Sequence, residues 1–176
     1  FVYYLSVLKK YIDQWKEVEG SVPDDIPLVI SGMASSSIGI VELAYAPMHM
    51  RADGSELLVK KKERTIAVPF PVFIVSGACT SFDVMRGEET LLAGCETQPG
   101  KTELFLFPGT HSKHVLVTDG IATSIDTYMT GEFFSLLSRQ SILSASVEKS
   151  GLDTGTGFFA RGISEGAQTN LLNSAF

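Results

Sequence analysis

Over residues 1–19 the apolar positions Tyr4, Leu5, Leu8, Ile12 and Trp15 recur every three or four residues, while Lys9, Lys10, Asp13 and Lys16 take the opposite face. That spacing predicts an amphipathic helix stopped near Gly20, with its stripe packed on the chain's own sheet. The pattern then becomes continuous. Pro27-Leu28-Val29-Ile30 and Pro71-Val72-Phe73-Ile74-Val75 are short apolar runs bounded by turn residues, as buried strands are. Between them, Ala34-Ser35-Ser36-Ser37 leads into Ile40, Val41 and Leu43, and the serines predict a capped short helix. Residues 46–66 are polar and turn-rich, which fits a long loop or a small excursion of strands. Lys60-Lys61-Lys62-Glu63-Arg64 reads as a solvated surface run.

Further on, Asp83 to Glu89 is charged and precedes a helical stretch, Thr90-Leu91-Leu92-Ala93-Gly94. Glu103 to Phe107, His114 to Val117 and Ile121 to Ser124 read as three strands. The Asp119-Gly120 step between the last two is a hairpin signal, because Gly accepts a positive φ. An antiparallel meander over 103–126 follows. Residues 127–145 carry the stripe Phe133, Phe134, Leu136, Leu137 and Ile142, with Thr130 as the expected N-cap and Glu132 in the first turn. A Ser-, Gly- and Asp-rich link over 144–156 leads to a last helix through Phe158, Phe159, Ile163 and Ala167. Strand, small-residue turn and helix in alternation point to an α/β fold.

The chain's 176 residues, 44% of them hydrophobic, are enough to bury a core and exclude intrinsic disorder. A net charge of −6 argues against general nucleic-acid binding. The lack of an 18-residue apolar run argues against a membrane helix. Cys79 and Cys95 fit neither a CxxC pair nor a disulfide framework, so a reducing compartment is expected. The chain opens on Phe1 without a basic leader and stops abruptly at Phe176, which reads as an excerpt rather than a secreted precursor.

Two stretches can carry chemistry. Phe107-Pro108-Gly109-Thr110-His111-Ser112-Lys113-His114 places a Gly turn, two hydroxyls and a cation between strands. Exposed N–H groups in such a turn can cradle a phosphate, with Thr110 and Ser112 as added donors. Lys113 either neutralises its oxygens or points to solvent, and an ordinary hairpin turn fits as well. It is not a Walker A loop. His111 and His114 lack the third ligand a zinc site needs, so no metal site is expected. In Asp83-Val84-Met85-Arg86-Gly87-Glu88-Glu89-Thr90, phosphoryl transfer to an alcohol would use one carboxylate from Asp83, Glu88 or Glu89. Arg86 would grip an acidic substrate or pair with one of those acids. A solvent-facing helix start with local ion pairs explains the same residues. Two S-x-x-K matches, at Ser6 and Ser146, lack the companion hydrolase elements, and neither a G-x-S-x-G elbow nor a G-x-G-x-x-G fingerprint occurs.

Four segments taken in order, Ser31-Gly32-Met33-Ala34-Ser35-Ser36, Val84-Met85-Arg86-Gly87-Glu88-Glu89-Thr90, Pro108-Gly109-Thr110-His111-Ser112-Lys113 and Met129-Thr130-Gly131-Glu132, resemble the 2-dehydro-3-deoxygalactonokinase family over roughly residues 26–176. The resemblance implies an actin-like ATPase (ribonuclease H-like) fold, seen as the incomplete central portion of a two-domain kinase. Residues 1–100 would be the latter part of the N-terminal α/β domain and 101–176 the beginning of the C-terminal one. Such kinases phosphorylate the 6-hydroxyl of 2-dehydro-3-deoxy-D-galactonate with ATP and Mg²⁺ during galactonate breakdown in the cytoplasm.

On that resemblance Gly109, Thr110 and Lys113 meet the nucleotide phosphates, and Arg86 meets the substrate carboxylate. Glu88 is the candidate carboxylate for the sugar hydroxyl, with Asp83 second. The first phosphate hairpin and the glycine-rich adenosine region are expected outside these residues, so the segment alone is expected to be inactive. The run Cys79-Thr80-Ser81-Phe82 departs from the polar run found in some members. A sugar acid and ATP are the implied partners, and the apolar first helix leaves a homodimer open. A non-catalytic scaffold with a kinase-like body is the rival reading, and a phosphatase or nucleotide sensor of the same superfamily is another.

Overall fold

Residues Val2–Glu19 form helix α1 in the computed structural model, which describes residues 2–20, 23, 26–64, 68–147 and 157–168. After it come β1 (Leu28–Ile30), a 3-10 turn over Met33–Ser35, β2 (Ala46–Pro47), β3 (Met50–Arg51), β4 (Val59–Lys62), β5 (Val72–Val75), β6 (Ala78–Cys79), β7 (Val84–Met85) and α2 (Glu88–Ala93). The meander follows as β8 (Thr102–Phe107), β9 (Ser112–Thr118) and β10 (Ile121–Tyr128). It leads into α3 (Thr130–Gln140), a second 3-10 turn over Ile142–Ser146, and α4 (Gly157–Gln168). The described chain makes two compact units, Phe1–Phe133 and Phe134–Phe176.

The first unit is an α/β arrangement with mixed sheets. In one sheet β5 lies between β1, which it pairs in parallel, and β4, which runs antiparallel. α1 covers this layer: Ile12 is buried against Phe70, Val72 and Ile74, as its apolar stripe predicts. Each such large apolar side chain contributes about 1.5–3 kcal/mol on burial. The lysine run is not a loop. Lys60 to Lys62 sit on β4, an edge strand, and keep their charges in water, where they discourage edge-to-edge pairing.

The second sheet has the order β3-β10-β9-β8. Its hairpin turns at Asp119 (φ 51°) and Gly120 (φ 73°), both left-handed, as the Asp-Gly step predicts. The third sheet, β2-β6-β7, shares a core with the second through Met50, Ala78, Met85, Leu92, Val115 and Val117. The second sheet thus takes β3 from before residue 100 and its other strands from after it.

The helix expected after Ala34 is only one 3-10 turn. Ser35 and Ser36 donate their hydroxyls back to the carbonyls of Gly32 and Met33, and Ser36 is extended. A serine hydroxyl spent on the carbonyl behind it is not available to cap the N–H groups of a helix ahead of it. The helix expected over 127–145 is shorter, and Ser141 caps the 3-10 turn after it by accepting the Leu143 N–H. In the second unit α4 is helical despite its glycines, with an Arg161–Glu165 pair along one face. Residues 148–156 of the expected link lie outside the described residues, as does 169–176.

Candidate active site

The turn after β1 meets the turn before α2. Gly32 (φ 87°) and Gly87 (φ 121°) both hold conformations that favour glycine, and a Cβ on Gly87 would stand 3.7 Å from the Gly32 Cα. Glu89 ties the two together from a fully buried position. Its two carboxylate oxygens accept the Gly87 N–H at 2.8 Å, Oε1 also accepts the Ser31 hydroxyl at 3.3 Å, and Thr90 donates to Ser31 at 2.8 Å. Burial pushes the Glu89 carboxyl above its ordinary range, opposed by its own and the Gly87 N–H and by Ser31.

The folded protein therefore holds this proton more tightly than the unfolded chain does. The stabilising contribution is complete below the ordinary carboxylate range and is lost as pH rises through the raised folded value. Glu89→Gln, which keeps an acceptor for Gly87, is expected to flatten that decline. Denaturant unfolding of both proteins from mildly acid to neutral pH is the measurement.

Arg86 is held on the same frame. Its guanidinium lies 4.2 Å from the centre of the Tyr45 ring, Nη1 donates to the Ser35 carbonyl and hydroxyl at 2.7 Å each, and Nε donates to the Tyr45 hydroxyl at 3.3 Å. It pairs with none of the neighbouring acids by side chain; Glu88 accepts only its backbone N–H, at 3.0 Å.

Asp83 stands at the start of β7, in a turn fixed by Thr80, whose hydroxyl oxygen accepts the N–H groups of Phe82 and Asp83. Asp83 Oδ1 accepts the Val84 N–H at 2.7 Å and the Thr127 hydroxyl at 2.6 Å. Lys113 is buried beside it. Its ammonium donates to the Val84 carbonyl and to Thr127 at 2.6 Å each and lies 3.7 Å from Asp83 Oδ1. Lys113 thus points neither to solvent nor out of the turn, because β9 alternates and Lys113 shares the inward phase of Val115 and Val117.

The stretch Pro108 to His111 is exposed and closed on α3. The carbonyls of Gly109 and Thr110 accept the N–H groups of Gly131 and Glu132, and the His111 ring pairs with the Glu132 carboxylate. The turn's carbonyls therefore cap α3, while Thr130 donates only to the Tyr128 carbonyl. Gly109 gives its N–H to Ser112, and a Cβ there would meet nothing nearer than 3.9 Å. The Thr110 hydroxyl makes no hydrogen bond among the described residues and faces water.

The fold thus brings Asp83 and Lys113 together, sets Arg86 against Ser35 and Tyr45, and leaves Gly109 and Thr110 at an exposed bend. Sequence reasoning missed Thr127, Tyr45 and the clamp made by Glu89. Thr127 had a readable signal: it lies opposite Lys113 across β9 and β10, two residues beyond buried Ile125. Two polar residues facing each other at core-phase positions require each other as partners.

A family model described as 2-keto-3-deoxy-galactonokinase matches residues 3–176. A probable 2-dehydro-3-deoxygalactonokinase of Rhizobium meliloti is 33% identical over 168 residues, 88% of this chain and 53% of the relative. The 2-dehydro-3-deoxygalactonokinase of Escherichia coli is 30% identical over 166 residues, 90% of this chain and 52% of the relative. A crystal structure of a Sinorhizobium meliloti protein, provisionally named 2-dehydro-3-deoxygalactonokinase, superposes with a TM-score of 0.75 at 28% identity. That match covers 93% of this chain and 54% of the solved one. The chain spans about half the length of the curated relatives it matches.

Proposed function

Because the chain belongs to the 2-keto-3-deoxy-galactonokinase family, we propose that the protein transfers a phosphoryl group from ATP to the 6-hydroxyl of 2-dehydro-3-deoxy-D-galactonate, in the cytoplasm. The reading carries an actin-like ATPase architecture with it, and the mixed sheets together with the β8-β9-β10 meander support that extension. No described helix is long and apolar enough to cross a membrane.

The observation that carries the mechanism is the contact between Asp83 and Lys113. Among the candidate carboxylates, Asp83 is the one joined to β9, the strand that leaves the Gly109-Thr110 bend. Among the described residues the Glu88 carboxylate takes a hydrogen bond only within its own turn, from the Arg86 N–H. We therefore assign the base to Asp83 ahead of Glu88. The proton of the substrate hydroxyl moves to Asp83 Oδ2 as the hydroxyl oxygen bonds to the γ-phosphorus, the bond from that phosphorus to the β,γ-bridging oxygen breaks, and ADP leaves.

The donor set at the bend fits a nucleotide phosphate in part. Gly109 leaves room for close approach and Thr110 has a hydroxyl with no hydrogen bond among the described residues, whereas the Gly109 N–H is given to Ser112 and the Lys113 ammonium is held inside. The nucleotide supplies the phosphoryl group, and Mg²⁺ offsets its charge. Among the described residues no group of three or more His, Cys, Asp or Glu side chains is arranged for a metal ion, and Mg²⁺ is assigned no protein ligand. Arg86, immobilised on Tyr45 and Ser35, presents a fixed cation for the sugar-acid carboxylate.

An ADP-release assay on the complete gene product, with 2-dehydro-3-deoxygalactonate as acceptor, tests the activity. Turnover is expected; no turnover together with no ATP binding by calorimetry would favour the non-catalytic scaffold. Glu88→Gln is expected to change kcat far less than a substitution at Asp83, and a comparable loss in steady-state kinetics would return the base to Glu88.

A further inference from the structure

We infer that Lys113 and Thr127 are positioning residues for Asp83, forming a buried relay that fixes which carboxylate oxygen faces the substrate. The inference rests on the reading of Asp83 as the base and adds what aims it. An aspartate on a short turn rotates freely about its last side-chain bond unless one oxygen is held. Here Oδ1 is held twice over, by the Val84 N–H at 2.7 Å and by the Thr127 hydroxyl at 2.6 Å.

The Thr127 hydroxyl has one proton, and the network settles where it points. Lys113 is donor-only and occupies the oxygen's acceptor side at 2.6 Å, so the hydroxyl proton is directed to Asp83. The Lys113 ammonium is in turn anchored on the Val84 carbonyl at 2.6 Å, one residue from Asp83. Both ends of the relay therefore grip the same two-residue stretch. Oδ2 makes no hydrogen bond among the described residues, and the Asp83 side chain keeps 22% of its surface exposed, against 9% for Lys113. One oxygen is saturated from the core side and the other is left for the hydroxyl proton.

The pairing also explains a buried lysine that the phosphate bend does not use. Thr127 and Lys113 are direct partners across β9 and β10, so the antiparallel register delivers both groups to Asp83 without a loop. A site built on strands is held more tightly than one built on flexible segments.

Thr127→Val removes the hydroxyl and preserves the side-chain shape. In the complete gene product it is expected to lower kcat about 100-fold, the scale of a small misplacement of a reacting group, with KM for ATP unchanged. Thr127→Ser is expected to restore kcat, because the hydroxyl returns. Lys113→Gln, which keeps an N–H for the Val84 carbonyl, reads the relay from its other end and is expected to lower kcat at unchanged KM. Unaltered kcat in Thr127→Val, or a Thr127→Ser protein as slow as the valine one, overturns the inference; if Thr127→Val does not fold, unaltered kcat in Lys113→Gln does so. Asp83→Asn separates the two claims: if it alone abolishes turnover, the base stands without its relay, and if it keeps full turnover, both fall.

Discussion

Asp83→Asn is expected to lower kcat by about 10²–10⁴-fold, the range contributed by a positioned general base, while KM for ATP stays near its original value. The asparagine oxygen can still accept from Thr127 and the Val84 N–H, so the turn held by Thr80 persists. What disappears is the second oxygen's ability to take a proton. A second consequence follows from the buried ammonium of Lys113, which loses the negative charge 3.7 Å away. Stability is expected to fall by about 1–3 kcal/mol, the scale of a buried polar group deprived of its partner. Steady-state kinetics and denaturant unfolding of the same preparation separate the two effects. A variant that loses stability but retains kcat removes Asp83 from the chemistry and leaves it a structural anchor.

The second large effect belongs to Gly131 and not to the glycine in the bend itself. A Cβ on Gly131 would stand 2.6 Å from the Gly109 carbonyl oxygen and 2.9 Å from the Thr110 Cα, both rigid backbone atoms. Gly131→Ala must therefore push the bend away from α3. That costs about 1–3 kcal/mol as overpacking and strains the bonds from Gly131 and Glu132 to the two carbonyls. Because the displaced residues are those assigned to the nucleotide, KM for ATP is expected to rise as well. Gly109→Ala meets open space and is expected to change stability by no more than about 0.5 kcal/mol, as at ordinary surface positions. Thermal unfolding and ATP titration of the two alanine variants test this contrast. Equal defects would show that the bend tolerates no side chain at either position.

The difference between these glycines shows where sequence reasoning stops. Gly109 sits in the bend, and the motif draws attention to it. Gly131 is 22 residues later and becomes critical only because α3 begins against that bend. Lys113 is a similar case. Beside Gly109 and Thr110 it reads as a phosphate cation, yet strand alternation turns it inward to Thr127 and Asp83. For Ser35 the local choice between capping a helix and bonding backwards went to the Gly32 carbonyl, and its hydroxyl and carbonyl then became the seat of Arg86.

From the order of residues alone came the α/β class, α1 and its packed face, the strands β1 and β5, the meander with its Asp-Gly hairpin, and the family resemblance. These depend on period, propensity and turn chemistry, which act over a few neighbouring positions. Of the two strands expected to be buried only β5 is, since β1 lies beside it with Leu28 and Ile30 half-buried and Val29 exposed. Only the folded chain decided which carboxylate stands beside β9, which direction Lys113 faces, what caps α3 and which glycine cannot be replaced. Those outcomes depend on contacts between residues from 14 to 44 positions apart, and separations of that kind are set by strand register and by turns meeting in space.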